Sequence, residues 1–331
     1  MFMAISRTPY RISFFGGGTD YPDWYRKRGG AVLSTAINKY CYISGRHLPP
    51  FFGIRHRIVW SHIETVGAIS EILHPAVRAG LEAVGYDDEE GVELHHQGDL
   101  PARSGIGSSS AFAVGLINVL EAMRGTKIDR HDLAQAAIDL EQNKLKETVG
   151  CQDQIASAYG GLNVIRFHTD GGITVDPVGL SDEQCGAFEQ HLMVFYTGTS
   201  RLSSSLSQQL VDNLDGKAKN LERMQAMVPQ AVSMLRQGDF ESFGKLLHET
   251  WTLKRALTSS ISTAAIDRIY DDALRAGALG GKLLGAGGAG FMVFVVPIEH
   301  QRRVRAALPH LINVPVRVDF TGSTIIYRQD E

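Results

Sequence analysis

The stretch Asp99 to Ala113 places two glycines, Gly105 and Gly107, between a short alternating segment, Val92-Glu93-Leu94-His95-His96, and a helical stripe of Phe112, Leu116, Val119, Leu120 and Met123. Glycines there let the backbone take positive φ and come close to a ligand. Ser108, Ser109 and Ser110 fall where the helix begins, and free N–H groups and the helix dipole favour an anion at such a point. No Gly-Lys-Ser/Thr follows the glycines, so this is not a Walker A loop. On these residues alone the loop reads either as a phosphate cradle or as a serine-capped helix after a tight turn.

A chain of 331 residues has room for two domains, and 44% apolar with 21% charged residues is an ordinary globular balance. A net charge of −3 supplies no excess of Lys and Arg to draw in nucleic acid or an anionic membrane, so neither is expected as a partner. Cys41, Cys151 and Cys185 are odd in number and form no Cys-x-x-Cys, which fits a reducing, cytoplasmic compartment. No apolar run approaches membrane-spanning length.

Alternation predicts strands over residues 4–15, 31–44, 55–60, 162–167, 173–178, 192–196, 291–296 and 314–320, with a last short strand after them. Helical spacing predicts helices over 69–84, kinked or interrupted at Pro75, and over 130–146, 152–160, 206–236, 240–257, 264–276 and 299–308. Composition shifts near Gly179 to Gln190, which puts a domain boundary there: 1–185 and 186–331. The irregular alternation of strands and helices predicts an α+β fold rather than a doubly wound parallel sheet.

Three ordered segments resemble the GHMP kinases, the family of galactokinase, homoserine kinase, mevalonate kinase and phosphomevalonate kinase. Pro101-Ala102-Arg103-Ser104-Gly105-Ile106-Gly107-Ser108-Ser109-Ser110-Ala111 resembles its Pro-x-x-x-Gly-Leu-Gly-Ser-Ser-Ala signature. Thr8-Pro9-Tyr10-Arg11-Ile12-Ser13-Phe14-Phe15-Gly16-Gly17-Gly18-Thr19-Asp20-Tyr21 resembles the substrate-side motif, and Lys282-Leu283-Leu284-Gly285-Ala286-Gly287-Gly288-Ala289-Gly290-Phe291 the third, glycine-rich one. The resemblance implies an N-terminal ribosomal-protein-like domain and a C-terminal ferredoxin-like domain, with the site in the cleft between them. It further implies ATP and Mg²⁺, with ATP held by Pro101, Arg103, Ser104, Gly105, Ile106, Gly107, Ser108, Ser109 and Ser110.

Phosphoryl transfer also requires a metal site, charge relief and a group that orients or deprotonates the acceptor. By resemblance, Ser109 and Glu141 hold the metal, a sparse pair that suits Mg²⁺ because that ion keeps waters and takes oxygens from ATP. Without the resemblance Glu141 reads as a solvated helix residue paired with Lys144. Asp153, in Gly150-Cys151-Gln152-Asp153-Gln154, matches the catalytic carboxylate and Arg11 the cation beside it; Asp153 also reads as a helix cap. Gly285, Gly287 and Gly288 belong to the third loop, which in the family packs close to the nucleotide loop. His95, His96, His47 and His56 have no metal-ligand spacing.

Gly17, Gly18, Thr19 and Asp20 are the candidate sugar contacts; Gly17 and Gly18 replace the Glu and His of galactokinases, which argues against galactose. The runs Phe14 to Tyr25, Gly29 to Thr35 and Trp251-x-x-Lys254-Arg255 resemble the D-glycero-D-manno-heptose 7-phosphate kinase branch, which implies phosphorylation of an anomeric hydroxyl. A phosphorylated sugar needs a second anion site, for which Arg46, Arg55, Arg57, Arg201, Lys254 and Arg255 are candidates, with Arg201 and Lys254 foremost. A fucokinase- or galactokinase-like enzyme acting on a free sugar and an ATP-dependent decarboxylase of the diphosphomevalonate type are the alternatives. Oligomeric state, a homodimer included, is open.

Overall fold

The computed structural model describes residues 3–198, 204–212, 214–258 and 260–329. Its first half runs β1 (Met3–Phe15), α1 (Pro22–Arg28), β2 (Gly30–His47), β3 (His56–Val59), β4 (Ile63–Val66), α2 (Pro75–Val84), β5 (Val92–Gly98), α3 (Ser108–Met123), α4 (Arg130–Asp139), α5 (Gln152–Tyr159), β6 (Leu162–Phe167) and β7 (Ile173–Pro177). The second half runs α6 (Asp182–Gln190), β8 (Leu192–Tyr196), α7 (Ser204–Val211), α8 (Ala218–Gln237), α9 (Phe240–Arg255), α10 (Ala264–Arg275), β9 (Gly280–Leu283), β10 (Phe291–Val295), α11 (Gln301–Ala307), β11 (Ile312–Val314) and β12 (Thr324–Gln329).

Eight strands make the first sheet, in the order β12-β1-β2-β5-β3-β4, with β6 joined to β2 and β7 joined to β6. β2 is long enough to pair with β1 along one edge while sharing its other edge between β6, over Gly30 to Thr35, and β5, over Cys41 to His47. Among the described residues only β3 and β5 are parallel in it. The second sheet, β11-β8-β10-β9, is wholly antiparallel. This is the α+β arrangement read from the sequence.

Aromatic packing ties the two sheets together where β1 ends. Phe14 meets Phe188 of α6 and Phe243 of α9 edge to face, at 5.5 and 5.7 Å between ring centroids, and all three rings are buried. Lys282 on β9 adds a polar strut, its Nζ donating to the Phe14 carbonyl at 3.1 Å. These contacts hold the strand that carries Arg11 against the second half of the chain.

Of the two expectations at Pro75, interruption holds and a kink does not: Pro75 opens α2 at a position where its missing N–H costs nothing, and Ile69–Glu71 is a separate 3₁₀ turn. Three other expectations from periodicity are corrected. The helix over 130–146 changes character at Leu140, where one π turn, Leu140–Lys144, replaces the α-helix. The helix over 206–236 is broken by a 3₁₀ turn at Asp215–Lys217, with Gly216 at its centre. The strand over 314–320 stops at Val314, because Pro315 has no N–H for the ladder; past it only an isolated bridge joins Val318 to Ile37. The last strand, β12, returns to the first sheet, antiparallel to β1.

Candidate functional site

The glycine loop is built by contacts that only glycine admits. Gly105 and Gly107 have φ of 81° and 72°, and Gly107 caps α3. A Cβ on Gly105 would lie 2.4 Å from the Leu284 carbonyl oxygen, and one on Gly290 2.1 Å from the Ser104 carbonyl oxygen. The loop with Gly285, Gly287 and Gly288 is therefore pressed against the first, and Phe291 N–H donates to Ser104 O at 3.1 Å. Ser104 Oγ donates to Pro101 O at 2.5 Å, and Ser108 Oγ accepts from Arg103 N–H at 3.0 Å. Those side chains shape the loop and leave the first-turn N–H groups of α3 for an anion.

Arg11 reaches this loop from β1. Its Nε and Nη2 donate to the two oxygens of Asp153 at 2.6 and 2.5 Å, and its Nη1 donates to Gly105 O at 2.6 Å. One guanidinium thus fixes both the glycine loop and the first turn of α5. The Arg11 side chain is 5% exposed and that of Asp153 23%, so the carboxylate keeps an open side.

Glu141 is not the solvated helix residue that periodicity alone allowed. The π turn carries it inward to 1% exposure, where Oε1 accepts from Ser109 Oγ at 2.6 Å and Oε2 from Ser110 Oγ at 2.7 Å and Gln154 Nε2 at 2.6 Å. Burial pushes its pKa up to about 7 against these three hydrogen bonds. No cluster of three or more His, Cys, Asp or Glu suited to a metal occurs among the described residues. One buried carboxylate facing a serine hydroxyl at the mouth of an anion loop fits a hard cation that draws its remaining oxygens from a nucleotide and water.

The bend after β1 closes over Asp153. Asp20 is buried, accepts from Gly18 N–H at 3.0 Å and from Gln152 N–H at 3.4 Å, and has its pKa raised by burial and by the charge of Asp153. A Cβ on Gly150 would stand 1.9 Å from Asp20 Oδ2, so that neighbour must be glycine. Thr19 spends its hydroxyl within the bend, donating to Gly16 O at 2.8 Å and accepting from Ala31 N–H at 3.1 Å. Lys254 of α9 joins from the other half: Nζ donates to Leu283 O and Gly285 O at 3.2 and 2.5 Å. Burial, with Arg11 nearby, pushes its pKa down to about 7.

The other candidate cations are spoken for or lie apart. Arg46 and Arg57 both pair with Glu93, Arg55 with Glu89, and Arg255 with Asp267. Arg201 lies outside the described residues. Lys282, quoted in the third motif but given no role, is buried, and its pKa is lowered by burial and by Lys254 and Arg11. Sequence reasoning also missed an aromatic nest beside the first turn of α3, where His74 stacks on Phe112 at 4.9 Å and Trp60 and His96 meet those rings edge on. The signal was available in the placement of Phe112 within the turn that follows the serines.

Comparison with known proteins bears on this geometry. Residues 70–161 match the GHMP kinases N terminal domain and residues 231–311 the GHMP kinases C terminal domain. The chain belongs to the GHMP kinases. It is a sugar kinase of that type, and the family takes its phosphoryl group from ATP. Among its relatives is the D-glycero-alpha-D-manno-heptose 7-phosphate kinase of Campylobacter jejuni, 26% identical over 91% of this chain and 92% of that protein. The L-fucokinase/L-fucose-1-P guanylyltransferase of Bacteroides fragilis is 26% identical over 90% of this chain but only 35% of its own length. A solved D-glycero-D-manno-heptose 1-phosphate kinase from Bacteroides thetaiotaomicron shares the fold along the whole of both chains, with a TM-score of 0.81 at 21% identity. No helix among the described residues is long and apolar enough to cross a membrane.

Proposed function

We propose that this kinase transfers the γ-phosphoryl group of Mg-ATP to the anomeric hydroxyl of D-glycero-D-manno-heptose 7-phosphate, forming the 1,7-bisphosphate. The observation that carries the reading is the bidentate Arg11–Asp153 pair, fastened to the Gly105 carbonyl and open on its carboxylate side. Asp153 accepts or orients the hydroxyl proton of the acceptor; a hemiacetal hydroxyl is more acidic than an ordinary alcohol, so one carboxylate suffices. Arg11 offsets the charge that develops between acceptor and phosphoryl group. Residues 101 and 103–110 cradle the ATP phosphates, and the nest of Trp60, His74, His96 and Phe112 receives the base. Ser109 and Glu141 would hold Mg²⁺, which, when bound, screens the phosphate oxygens.

Gly17, Gly18 and Asp20 surround the sugar in this reading, while Thr19, fully buried and with its hydroxyl spent inside the bend, shapes that bend instead of contacting the sugar. Lys254 and Lys282, the buried lysines that Arg11 influences, supply positive charge for the substrate's own phosphate. A phosphate brought beside them favours their charged forms and so recovers part of the cost of burying them. The ATP domain is residues 1–185 and the C-terminal domain 186–331, with β12 crossing back to the first sheet. The Campylobacter relative supports the substrate choice by its length of match.

A second reading, phosphorylation of a free sugar such as L-fucose, is favoured by the Bacteroides fucokinase relative. A coupled ADP-release assay with Mg-ATP, followed by NMR assignment of the new phosphate, separates the two. The heptose reading requires turnover of the 7-phosphate with the new ester at C1; preferred turnover of L-fucose would replace it with the second.

A further inference from the structure

Alternation along β1 puts Ser13 on the same face as Arg11, two residues nearer the glycine bend. Ser13 is 6% exposed, yet its Oγ has no hydrogen-bond partner among the described residues. Gln152, immediately before Asp153, is in the same condition: its Oε1 is buried and unpartnered, although its backbone N–H is tied to Asp20. Buried polar atoms are nearly always paired, so two orphans beside one catalytic carboxylate point to a partner that the protein does not itself supply.

The space between them belongs to Gly17. Its neighbours Gly16 and Gly18 are glycine for backbone reasons, with φ of 78° and 99°, and a Cβ on Gly16 would strike the Ala31 carbonyl at 1.9 Å. Gly17 has no such demand: its φ is not positive, and a Cβ there would sit in ordinary contact, 3.7 Å from Ser13 Oγ and 3.8 Å from Gln152 Nε2. What a side chain at 17 would take away is the room over those two groups.

Resting on the sugar-kinase reading, we propose that Ser13 Oγ and the Gln152 carboxamide, facing each other across the bare side of Gly17, form a polar subsite that hydrogen-bonds a non-reacting hydroxyl of the acceptor sugar and so selects among sugars. A hydroxyl is the group that fits, because it can donate to Ser13 Oγ while accepting from Gln152 Nε2, the carboxamide atom that faces Gly17; a fully ionised phosphate can only accept. Both residues flank the Arg11–Asp153 pair, so the hydroxyl they hold fixes the orientation of the ring whose anomeric hydroxyl meets Asp153. A sugar lacking that hydroxyl leaves the buried Ser13 Oγ unpaired and is disfavoured.

The test is steady-state ADP release by the wild type and by Ser13→Ala, Gln152→Met and Gly17→Ala. The substrates are D-glycero-D-manno-heptose 7-phosphate, D-mannose, L-fucose and D-galactose, followed by the monodeoxy analogues of the best of them. Melting temperatures within about 2 °C of the wild type establish that the variants are folded, as substitutions that remove one atom, keep side-chain length or fill an open space should allow. The subsite requires a sugar KM raised about tenfold or more in each variant, with kcat within threefold and the ATP KM within twofold. It also requires that Ser13→Ala and Gln152→Met cost nothing further on the one deoxy sugar that lacks the recognised hydroxyl. Sugar KM values within twofold of the wild type in both polar variants would overturn the subsite while leaving the sugar kinase intact. Absence of turnover by the wild type on all four sugars would instead remove the sugar-kinase reading and the subsite with it.

Discussion

Arg11 binds three acceptor oxygens on two segments, two on Asp153 and one on Gly105, so in the proposed mechanism the residue that relieves charge is also the one that sets the distance between the phosphate loop and Asp153. Replacing Asp153 by Asn keeps the shape and removes the proton acceptor; kcat should fall by about 10²-fold or more while ATP affinity, measured by calorimetry, stays nearly unchanged. Near-normal turnover would take Asp153 out of the chemistry. Glu141 carries a separate, pH-dependent signature. Its pKa in the folded chain, about 7, lies above that of an unfolded glutamate, so the native state holds the extra proton. Stability from this group is full below the unfolded pKa, near 4.5, and is lost as pH rises through about 7. Glu141→Gln should therefore raise the melting temperature of the metal-free protein more at pH 8 than at pH 5, and a pH-independent difference between variant and wild type would contradict the assignment. Arg11 and Asp153 could be read from motif and alternation. The burial of Glu141 could not, because a π turn leaves no periodic trace, and the burial of Lys282 depends on the distant end of β1.

At the scale of elements, the two glycine loops act as one part. Gly290, with φ of 115°, admits no Cβ without moving the Ser104 carbonyl that sits 2.1 Å from that position. Gly290→Ala should displace the phosphate loop and raise the ATP KM about tenfold or more, together with a lower melting temperature. Gly186, inside α6 with nothing within 4 Å of an added Cβ, is the control. Its change to Ala should leave the ATP KM alone and stabilise the fold by up to about 1 kcal/mol. An ATP KM unchanged by Gly290→Ala would separate the loops functionally. The glycine loops were legible as loops because they interrupt strong periodic runs. Element ends were less so: Pro315 ends a strand that alternation carried on to 320, and the turn at Asp215 divides a stripe that looks continuous.

At the scale of the molecule, the strand order was hidden from local pattern, since β12 and β1 are joined across nearly the whole chain and β2 serves three partners. The consequence is mechanical. β1 sits inside the first sheet, while Phe14 and Lys282 clamp its end to the second half, so the acceptor bend, Lys254 and the third glycine loop converge on Asp153. In the proposed reading that convergence serves two phosphorylated substrates, with one anion loop for ATP and the buried Lys254 and Lys282 for the sugar's own phosphate. The most direct measurement is the ratio of kcat/KM for D-glycero-D-manno-heptose 7-phosphate to that for unphosphorylated D-glycero-D-manno-heptose with Mg-ATP. A ratio of about 100 or more, falling at least tenfold in Lys254→Met, is the predicted result. A ratio near one would contradict the account, leaving a kinase of free sugars without a second phosphate site.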